Sequence, residues 1–226
     1  MNTLTQYVVA LTLTAISTGA IAIFVYFRDK GKKLNQRFTL YFLSIAWWSI
    51  GEAFAISAPT NAKGLLLWRI NQIGVIFIPI FFVHFVFTLL EIKGKKYKLI
   101  PISYFIGGIF LVLDSTSLFV LEVVPKFSFN YFINPGRFYY LFIACWAAWV
   151  CYGLFELLRA HLVSSGAKRT QLKYFAWSML FAYIGGAPNF LPTFGIEIPI
   201  LMPFGTYVIP IHALITAYAI IKYRLM

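Results

Sequence analysis

Residues 65–90 read LLLWRINQIGVIFIPIFFVHFVFTLL and decide the fold class of this chain. Arg69 is the single charged residue in this stretch of 26. A helix that crosses the roughly 30 Å hydrocarbon core of a bilayer needs about 20 predominantly apolar residues, which is longer than the apolar run of an ordinary soluble core helix. The stretch therefore predicts a membrane-spanning helix.

The composition of the whole chain agrees with a lipid environment. Of its 226 residues, 61% are hydrophobic and 12% are charged, and the mean hydropathy is +0.80. A typical soluble domain is about 45–50% apolar and about 25% charged. Because a chain this short cannot cover so much apolar surface with so few ionic groups, the composition excludes a water-soluble globular protein.

Six further apolar stretches flank this one, of which the fourth span in chain order is the shortest. Together they predict an all-α, polytopic membrane protein that forms a bundle of seven transmembrane helices, with a single domain over residues 1–226. The predicted spans are residues 4–27, 38–57, 65–90, 99–113, 138–158, 174–194 and 198–221.

The basic residues predict the orientation of this bundle. Fifteen of the 19 Lys and Arg residues lie in connectors one, three and five or at the C-terminal end, whereas the opposite side carries Lys63, Arg69, Lys126 and Arg137. Cytoplasmic loops are the ones enriched in Lys and Arg. We therefore expect the N-terminus outside and the C-terminus in the cytoplasm, in the inner or plasma membrane, with anionic lipid headgroups as partners on the cytoplasmic side.

The net charge of +12 is thus explained by topology, and we expect no nucleic-acid partner. Cys145 and Cys151 both lie in the fifth span, where their spacing gives neither a metal pair nor a disulfide framework. We expect no metal and no cofactor. The first span lacks a preceding basic region and a convincing cleavage site, so we expect that it is not a removable signal peptide.

The connector over residues 114–137 is the longest and has strand patterning. Phe127, Phe129 and Tyr131 alternate with polar residues, and residues 118–124 are rich in β-forming residues. We predict a short extracellular β-hairpin between helices 4 and 5. Such a hairpin is either a lid over an outward-facing pocket or an aromatic cap at the membrane interface, and the sequence favours the two equally.

Two charged residues inside predicted spans are candidates for function. A charged side chain at bilayer depth costs about 2.5–3.5 kcal/mol and has to face the bundle interior. Glu52 lies in the outer part of the second span, and Arg69 lies at a comparable depth in the third. Adjacent antiparallel helices would bring them together, so we predict that they pair across the two helices.

The predicted pair has three interpretations. It is a structural bridge that fixes the helix register, the polar floor of a ligand pocket together with Gln72, or part of an ion or proton pathway. Helical spacing places Asn71 on a different side of the third helix from Gln72. The walls of the ligand pocket would be three tryptophans of the second and third spans, namely Trp47, Trp48 and Trp68.

The last two spans add two more candidate residues, and the third span adds another. In the sixth span, Gly185 and Gly186 lie on the same face as Asn189, which predicts either close helix packing or a vestibule lined by Asn189. His212 lies near the middle of the seventh span, and His84 lies nearer the inner side of the third. Two histidines without a third ligand make a poor metal site.

Motifs of several functional classes are missing from the sequence. A retinal protein needs a lysine in the middle of the last helix, whereas the only lysine in this region of the sequence is Lys222, at the cytoplasmic end. The sequence has no phosphate-binding loop, nucleophile elbow or H-E-x-x-H pair. A transporter is harder to exclude, although transporters usually contain two related halves with paired interrupted helices and here only the sixth span is interrupted.

Three segments of the chain resemble a known family. The text YIGGAPNFLP at 183–192, PFGT at 203–206 and AYAIIKYRLM at 217–226 is similar to the seven-transmembrane N-terminal sensor region of bacterial and archaeal histidine kinases. The third span resembles the corresponding segment of that family in LWRI at 67–70, Pro79, and His84 followed by Phe85. The resemblance covers essentially the whole chain.

The resemblance implies a sensory module that relays an extracellular or intramembrane signal through its last helix to a cytoplasmic output domain. It also implies a homodimer formed through the kinase region. A phosphoacceptor His is followed by an acidic residue, whereas His84, His161 and His212 are not. The 226 residues contain no nucleotide-binding domain, so we expect that this chain alone is not an enzyme.

These arguments predict a receptor whose pocket opens outward between the second, third, sixth and seventh helices. The signal is expected to be a small molecule or a membrane-derived compound, acting by a shift between two packings of the bundle. The alternatives are a small-solute or ion transporter that uses the same polar cluster, and a purely structural subunit. The predicted ligand-binding residues are Glu52, Arg69, Gln72, Asn189, Trp48, Trp68, His84 and His212.

Overall fold

The computed structural model describes residues 3–198 and 201–223 as a bundle of seven α-helices joined by mostly short connectors. Two 3₁₀ segments, Gly94–Lys98 and Ala187–Phe194, precede α4 and follow α6. The helices are α1 Thr3–Arg28, α2 Lys33–Ile56, α3 Asn61–Leu89, α4 Leu99–Asp114, α5 Arg137–Val163, α6 Gly166–Gly186 and α7 Leu201–Tyr223.

Five segments of the described chain are long and apolar enough to cross a membrane. They are α1, α2, α3, α5 and the segment Gly94–Asp114, which contains α4. The predicted sixth span, residues 174–194, is not one continuous α-helix. It begins inside α6 and ends in the 3₁₀ segment, because Pro188 and Pro192 lack the backbone N–H that an α-helix needs. Residues 199 and 200 of the predicted seventh span lie outside the described residues.

Six of these helices form a ring, and α4 lies outside it. The pairs in contact are α1 with α2, α2 with α3, α3 with α5, α5 with α6, α6 with α7, and α7 with α1, while α4 packs on the side of α3. A closed ring of helices leaves its apolar side chains facing a common axis. The arrangement therefore creates a single interior around which the candidate residues are placed.

Helix α3 is the most buried of the predicted spans and forms one wall of that interior. In its most apolar part 72% of the residues are buried, compared with 28% in α5. Phe82, Phe85 and Phe87 are fully buried, and the ring of Tyr41 on α2 packs at 5.4 Å from that of Phe82. Polar residues on such a helix are consequently inside the protein rather than in lipid.

Glycines allow α6 and α7 to cross in direct backbone contact. A Cβ added to Gly185 would lie 2.6 Å from the carbonyl oxygen of Gly205, and a Cβ on Gly205 would overlap the carbonyl oxygen of Gly185. The predicted close packing of the glycine-rich face is confirmed at this crossing. Small residues are the usual way for membrane helices to approach so closely.

An antiparallel β-hairpin joins α4 to α5 and covers one end of the bundle, which we call the hairpin end. Its strands are β1 Val120–Lys126 and β2 Phe129–Pro135, paired with Val123 opposite Ile133. Trp68 on α3 donates its indole N–H to the carbonyl oxygen of Tyr131 at 3.1 Å. The hairpin is therefore fixed to the ends of the helices rather than projecting away from them.

Candidate functional site

Glu52 is buried one turn before the end of α2, with an exposed fraction of 2%. One carboxylate oxygen accepts a hydrogen bond from the hydroxyl of Tyr7 on α1 at 2.6 Å, and the other accepts from the indole N–H of Trp48 at 2.5 Å. Both oxygens thus have a donor. Glu52 links α1 to α2, and its position is fixed by two aromatic side chains.

The predicted ion pair between Glu52 and Arg69 is wrong. Arg69 is half-buried and interacts electrostatically with Asp114 at the end of α4. Successive residues of a helix are rotated by about 100°, so Arg69 lies about 160° around α3 from Asn71. The helix turns Asn71, rather than Arg69, towards α2, where the Asn71 side chain lies against Gly51.

A chain of polar contacts runs from Glu52 to α7. The hydroxyl oxygen of Tyr7 lies 2.9 Å from the side-chain amide of Asn189, and the Thr206 hydroxyl on α7 lies 3.1 Å from the same amide. The Asn189 amide oxygen accepts from the Thr206 hydroxyl and also faces the Tyr7 hydroxyl, whose single proton is shared between Asn189 and Glu52. Four elements, α1, α2, the 3₁₀ segment and α7, are thereby connected.

A cavity of about 60 Å³ lies beside this chain of polar contacts. Such a space holds about four to six water molecules. Its walls come from α2, α3, β2, α5, α6, the 3₁₀ segment and α7. The lining residues include Tyr41, Trp48, Glu52, Trp68, Asn71, Gln72, Phe132, Ile133, Tyr139, Trp146, Ala182, Tyr183, Gly186, Asn189, Phe190, Thr193 and Ile209.

Several polar atoms at this cavity have no protein partner. They are both side-chain amide atoms of Asn71, the amide oxygen of Gln72, one amide atom of Asn189 and the indole nitrogen of Trp146. Asn71 and Gln72 are at most 1% exposed. A buried polar group without a hydrogen bond costs about 1–3 kcal/mol. A polar occupant of the cavity would remove this cost, so the cavity has the chemistry of a binding site.

The hairpin closes the cavity at one end. Phe132 and Ile133 of β2 line the cavity and are fully buried. The hairpin thus lies over the side on which we expect a pocket that opens outward between the second, third, sixth and seventh helices. The fifth helix also contributes to the walls through Tyr139 and Trp146.

Lys126 holds the hairpin in place. Its ammonium donates to the carbonyl oxygens of Ile133 at 2.8 Å, Pro192 at 3.2 Å and Thr193 at 3.2 Å. Burial lowers the pKa of the Lys126 ammonium, and the carboxylate of Glu122 acts in the opposite direction. Because Pro192 and Thr193 end the 3₁₀ segment, this one side chain ties the hairpin to the segment that carries Asn189.

Five of the eight predicted ligand-binding residues line the cavity, namely Trp48, Glu52, Trp68, Gln72 and Asn189. The other three predicted residues, Arg69, His84 and His212, do not line the cavity. Trp47, also predicted as a wall, is 47% exposed and donates to the carbonyl oxygen of Ile70. The spacing of the sequence placed each residue on a helix but could not fix how neighbouring helices are rotated.

The two histidines occupy separate polar clusters. His84 lies nearer the other end of the bundle, where its Nδ1 is 2.9 Å from the hydroxyl of Tyr104 on α4. His212 is buried between α6 and α7, with its Nδ1 2.5 Å from the Ser178 hydroxyl, which is itself 3.0 Å from the Thr216 hydroxyl. In residues 3–198 and 201–223 no group of three or more His, Cys, Asp or Glu side chains is placed to hold a metal ion.

Three important residues were not predicted from the sequence. Asn71 was assigned to a different side of α3 from the pocket, Tyr7 was not considered, and Trp146 was not distinguished from the other aromatic residues. A signal for Asn71 did exist, because an amide in the middle of the most apolar span is as costly in lipid as its neighbour Gln72. Nothing in the sequence marked Tyr7 or Trp146 among so many aromatic residues.

The end of the bundle opposite the hairpin, which we call the basic end, carries most of the cationic side chains. An open groove there is lined by residues from the start of α2 and the end of α3. Lys33, Arg37 and Lys93 supply its cations, and Glu91 supplies a carboxylate. The groove is wide and exposed, in contrast to the cavity at the hairpin end.

Long apolar helices in a bundle, with polar side chains turned inward, define a helical membrane protein. Its family is shown by comparison with known proteins. Residues 10–226 match the family model described as the N-terminal 7TM region of histidine kinase, so the chain belongs to this family. No curated protein matches the chain, and no solved structure does. The family region is the non-catalytic input part of a histidine kinase and implies a sensory membrane module.

Proposed function

We propose that this chain is the signal-sensing module of a histidine kinase and that its signal binds in the cavity beside Glu52. The observation that carries this proposal is the group of buried amides of Asn71, Gln72 and Asn189, whose polar atoms lack protein partners. Folding does not favour such groups unless something binds them. A purely structural bridge would have left them paired and the space between them filled.

The proposed orientation places the hairpin end outside the cell and the basic end in the cytoplasm, in the inner or plasma membrane. The distribution of Lys and Arg supports this orientation. The groove with Lys33, Arg37 and Lys93 would then face the anionic lipid headgroups of the inner leaflet. Residues 1–226 would act as one sensory domain, with homodimer formation through the kinase region that follows α7 in this family.

The relay would run along the contact between α6 and α7. Asn189 contacts the cavity on one side and Thr206 of α7 on the other. Further along, Gly185 and Gly205 are in backbone contact, and Ser178 meets His212 near the middle of α7. A ligand that competes for the Asn189 amide would shift α7 relative to α6 and so change the packing that the output domain senses.

Thr206→Val tests this relay because valine keeps the size of the side chain and removes its hydroxyl. The kinase that contains this region is reconstituted in lipid nanodiscs, and its rate of autophosphorylation is measured. We expect the substitution to change the rate several-fold. Thr12→Val is the matched control, because the Thr12 hydroxyl bonds only within α1, to the carbonyl oxygen of Val8.

Asn71→Ala and Asn189→Ala extend the test to the cavity itself. If all three variants are folded and none changes kinase output, the proposal fails. A transporter that uses the same cluster is the other functional class suggested by the sequence. Solute uptake into proteoliposomes by the intact chain, lost in Asn71→Ala, would favour transport, whereas a sensor gives no uptake.

A further inference from the structure

One side of the cavity beside Glu52 is not fully buried. Most of its lining residues are closed off from the surface. The partly exposed ones are Trp146 on α5 with Tyr183, Gly186 and Phe190 on α6 and the 3₁₀ segment. All four lie along a single seam, where α5 meets α6. Within the described residues, this seam is therefore the thinnest barrier between the cavity and the surroundings.

Three aromatic rings form that barrier. The ring centroid of Trp146 lies 5.6 Å from that of Tyr183 and 5.1 Å from that of Phe190, both in edge-to-face geometry. Gly186 has no side chain to add to the barrier. Aromatic side chains turn about two torsions, and each edge-to-face contact is weak enough to break transiently. The rings can act as a gate that opens without unfolding a helix.

The gate faces lipid rather than water. Trp146 comes nine residues after the start of α5 at Arg137, which places it about 13 Å along the helix from the hairpin end. Next to Tyr183 on the outer surface of the seam lies the apolar side chain of Ile184, which is 62% exposed. Exposed apolar residues at this depth belong to a surface covered by lipid chains.

The lining of the cavity selects for an uncharged ligand. Glu52 is the ionisable carboxylate in the lining, and both of its oxygens already accept hydrogen bonds. The available groups are the donor and acceptor atoms of Asn71, the acceptor of Gln72, the amide nitrogen of Asn189 and the donor of Trp146. They suit a molecule that both donates and accepts hydrogen bonds, with an apolar part for the surrounding rings.

We propose that the cavity takes a small, neutral, amphipathic molecule that enters sideways from the bilayer through the gate of Trp146, Tyr183 and Phe190. This proposal rests on the proposed function, because it names the class of signal that the sensor binds. In the closed state a ligand of roughly four to six non-hydrogen atoms fits, by comparison with the space that water occupies. Larger ligands require the rings to swing outward.

Photolabelling of the intact chain in lipid nanodiscs tests the proposal. The probe is a three-carbon diazirine alcohol, which has six non-hydrogen atoms, and the control probe is the ammonium analogue with the same carbon skeleton. Labelled residues are identified by mass spectrometry of the peptides. We expect the alcohol to label residues that line the cavity, such as Tyr139, Tyr183 and Asn189, and n-butanol to compete with this labelling. We expect the ammonium analogue to leave them unlabelled.

Two pairs of variants locate the site and the gate. Ala182→Leu fills the cavity and should abolish the labelling, whereas Ala144→Leu adds the same atoms on the exposed face of α5 and should not. Trp146→Ala removes two ring contacts of the gate and should raise the initial labelling rate about tenfold. Trp149→Ala, on the same helix but not in this lining, should leave the rate unchanged.

Equal labelling of the cavity by the alcohol and its ammonium analogue would show that the cavity opens to water and would overturn the proposal. So would the absence of competable cavity labelling in the native chain, a result that does not depend on any variant folding. A Trp146→Ala rate equal to that of Trp149→Ala would rule out the gate. If labelling follows the expected pattern but the cavity variants leave kinase output unchanged, the proposed sensory function fails, whereas the proposed ligand site is supported.

Discussion

The two ends of the bundle hold polar groups in opposite ways. At the hairpin end, the amides of Asn71 and Asn189 are buried in an apolar interior where each atom needs one particular partner. At the basic end, Lys33, Arg37 and Lys93 line an open, exposed groove. A buried polar group depends on exact geometry, whereas an exposed charge acts through a screened field. Single substitutions should therefore have large effects at the hairpin end and small ones at the basic end.

Glu52→Ala should produce the largest effect on stability. The substitution leaves the indole N–H of Trp48 buried without an acceptor, and it removes the shorter of the two hydrogen bonds of the Tyr7 hydroxyl. Each unsatisfied group costs about 1–3 kcal/mol, so we expect a loss of about 2–5 kcal/mol in the free energy of unfolding. Thermal unfolding in detergent micelles measures the loss.

Two other substitutions separate the hydrogen bonds of Glu52 from other effects. Glu52→Gln keeps one acceptor oxygen and should lose about half as much as Glu52→Ala. Glu197→Ala removes an exposed carboxylate and should change stability little. If Glu52→Ala and Glu197→Ala unfold at the same temperature, the buried network does not stabilise the bundle and the contrast between the two ends is lost.

Gly205→Ala should produce the next largest effect. Its new Cβ would overlap the backbone carbonyl oxygen of Gly185, and a backbone atom cannot rotate away as a side chain can. Overpacking of this kind costs up to about 3 kcal/mol. Gly108→Ala in α4 is the control, because its Cβ meets open space, and it should stabilise α4 by up to about 1 kcal/mol.

Gly205→Ala should also change signalling, which is measured as kinase output. If α6 and α7 must move past each other to signal, Gly205→Ala should also lock kinase output in one state. A melting temperature for Gly205→Ala that equals or exceeds that of Gly108→Ala would show that the crossing is not tightly packed in the membrane.

The membrane class and most of the helix positions could be predicted from the sequence, because a helix that crosses lipid needs a long run of apolar residues. Every backbone group in lipid has to be satisfied within its own helix, so long uncharged runs become helices with few alternatives. The fourth span, predicted over residues 99–113, corresponds to α4 at Leu99–Asp114. The sixth span is interrupted, as the sequence predicts, and ends in a 3₁₀ segment at Pro188 and Pro192, whose missing N–H groups hydropathy alone does not register.

The site was predicted less completely because it depends on helix rotation. Glu52, Gln72 and Asn189 share the cavity, as expected from their polarity in apolar spans. The partner of Glu52 proved to be Tyr7 rather than Arg69. Pairing at equal depth does not fix which face of each helix meets the other, and α1 closes the ring through its contacts with α2 and α7.

Lys126→Met should loosen the hairpin without unfolding the bundle. The substitution removes a donor to three carbonyl oxygens, of which two belong to the end of the 3₁₀ segment. Because the side chain is only partly buried, we expect a local loss of about 1–2 kcal/mol. Hydrogen exchange of the β1 and β2 amides should become about tenfold faster, while exchange in α3 stays unchanged.

Lys63→Met serves as the control for Lys126→Met, because Lys63 is exposed at the same end of the bundle. Equal exchange rates in the two variants would mean that Lys126 does not hold the hairpin. A faster exchange that extends into α2 and α3 would show that the hairpin and the helices unfold together.

Arg37→Gln at the basic end should have the smallest effect, and one that depends on the lipid. A Lys or Arg near an anionic membrane surface contributes about 1 kcal/mol of attraction, which salt screens. We expect anionic lipid to raise the melting temperature of the native chain in nanodiscs, relative to zwitterionic lipid, and Arg37→Gln to reduce this rise slightly. Lys63→Gln, at the other end of the bundle, should leave the rise intact.

If Lys63→Gln reduces the rise as much as Arg37→Gln, the attraction is not confined to the basic end. An Arg37→Gln effect that persists in zwitterionic lipid and high salt would instead mean that Arg37 makes a specific internal contact, and the basic end would then resemble the hairpin end.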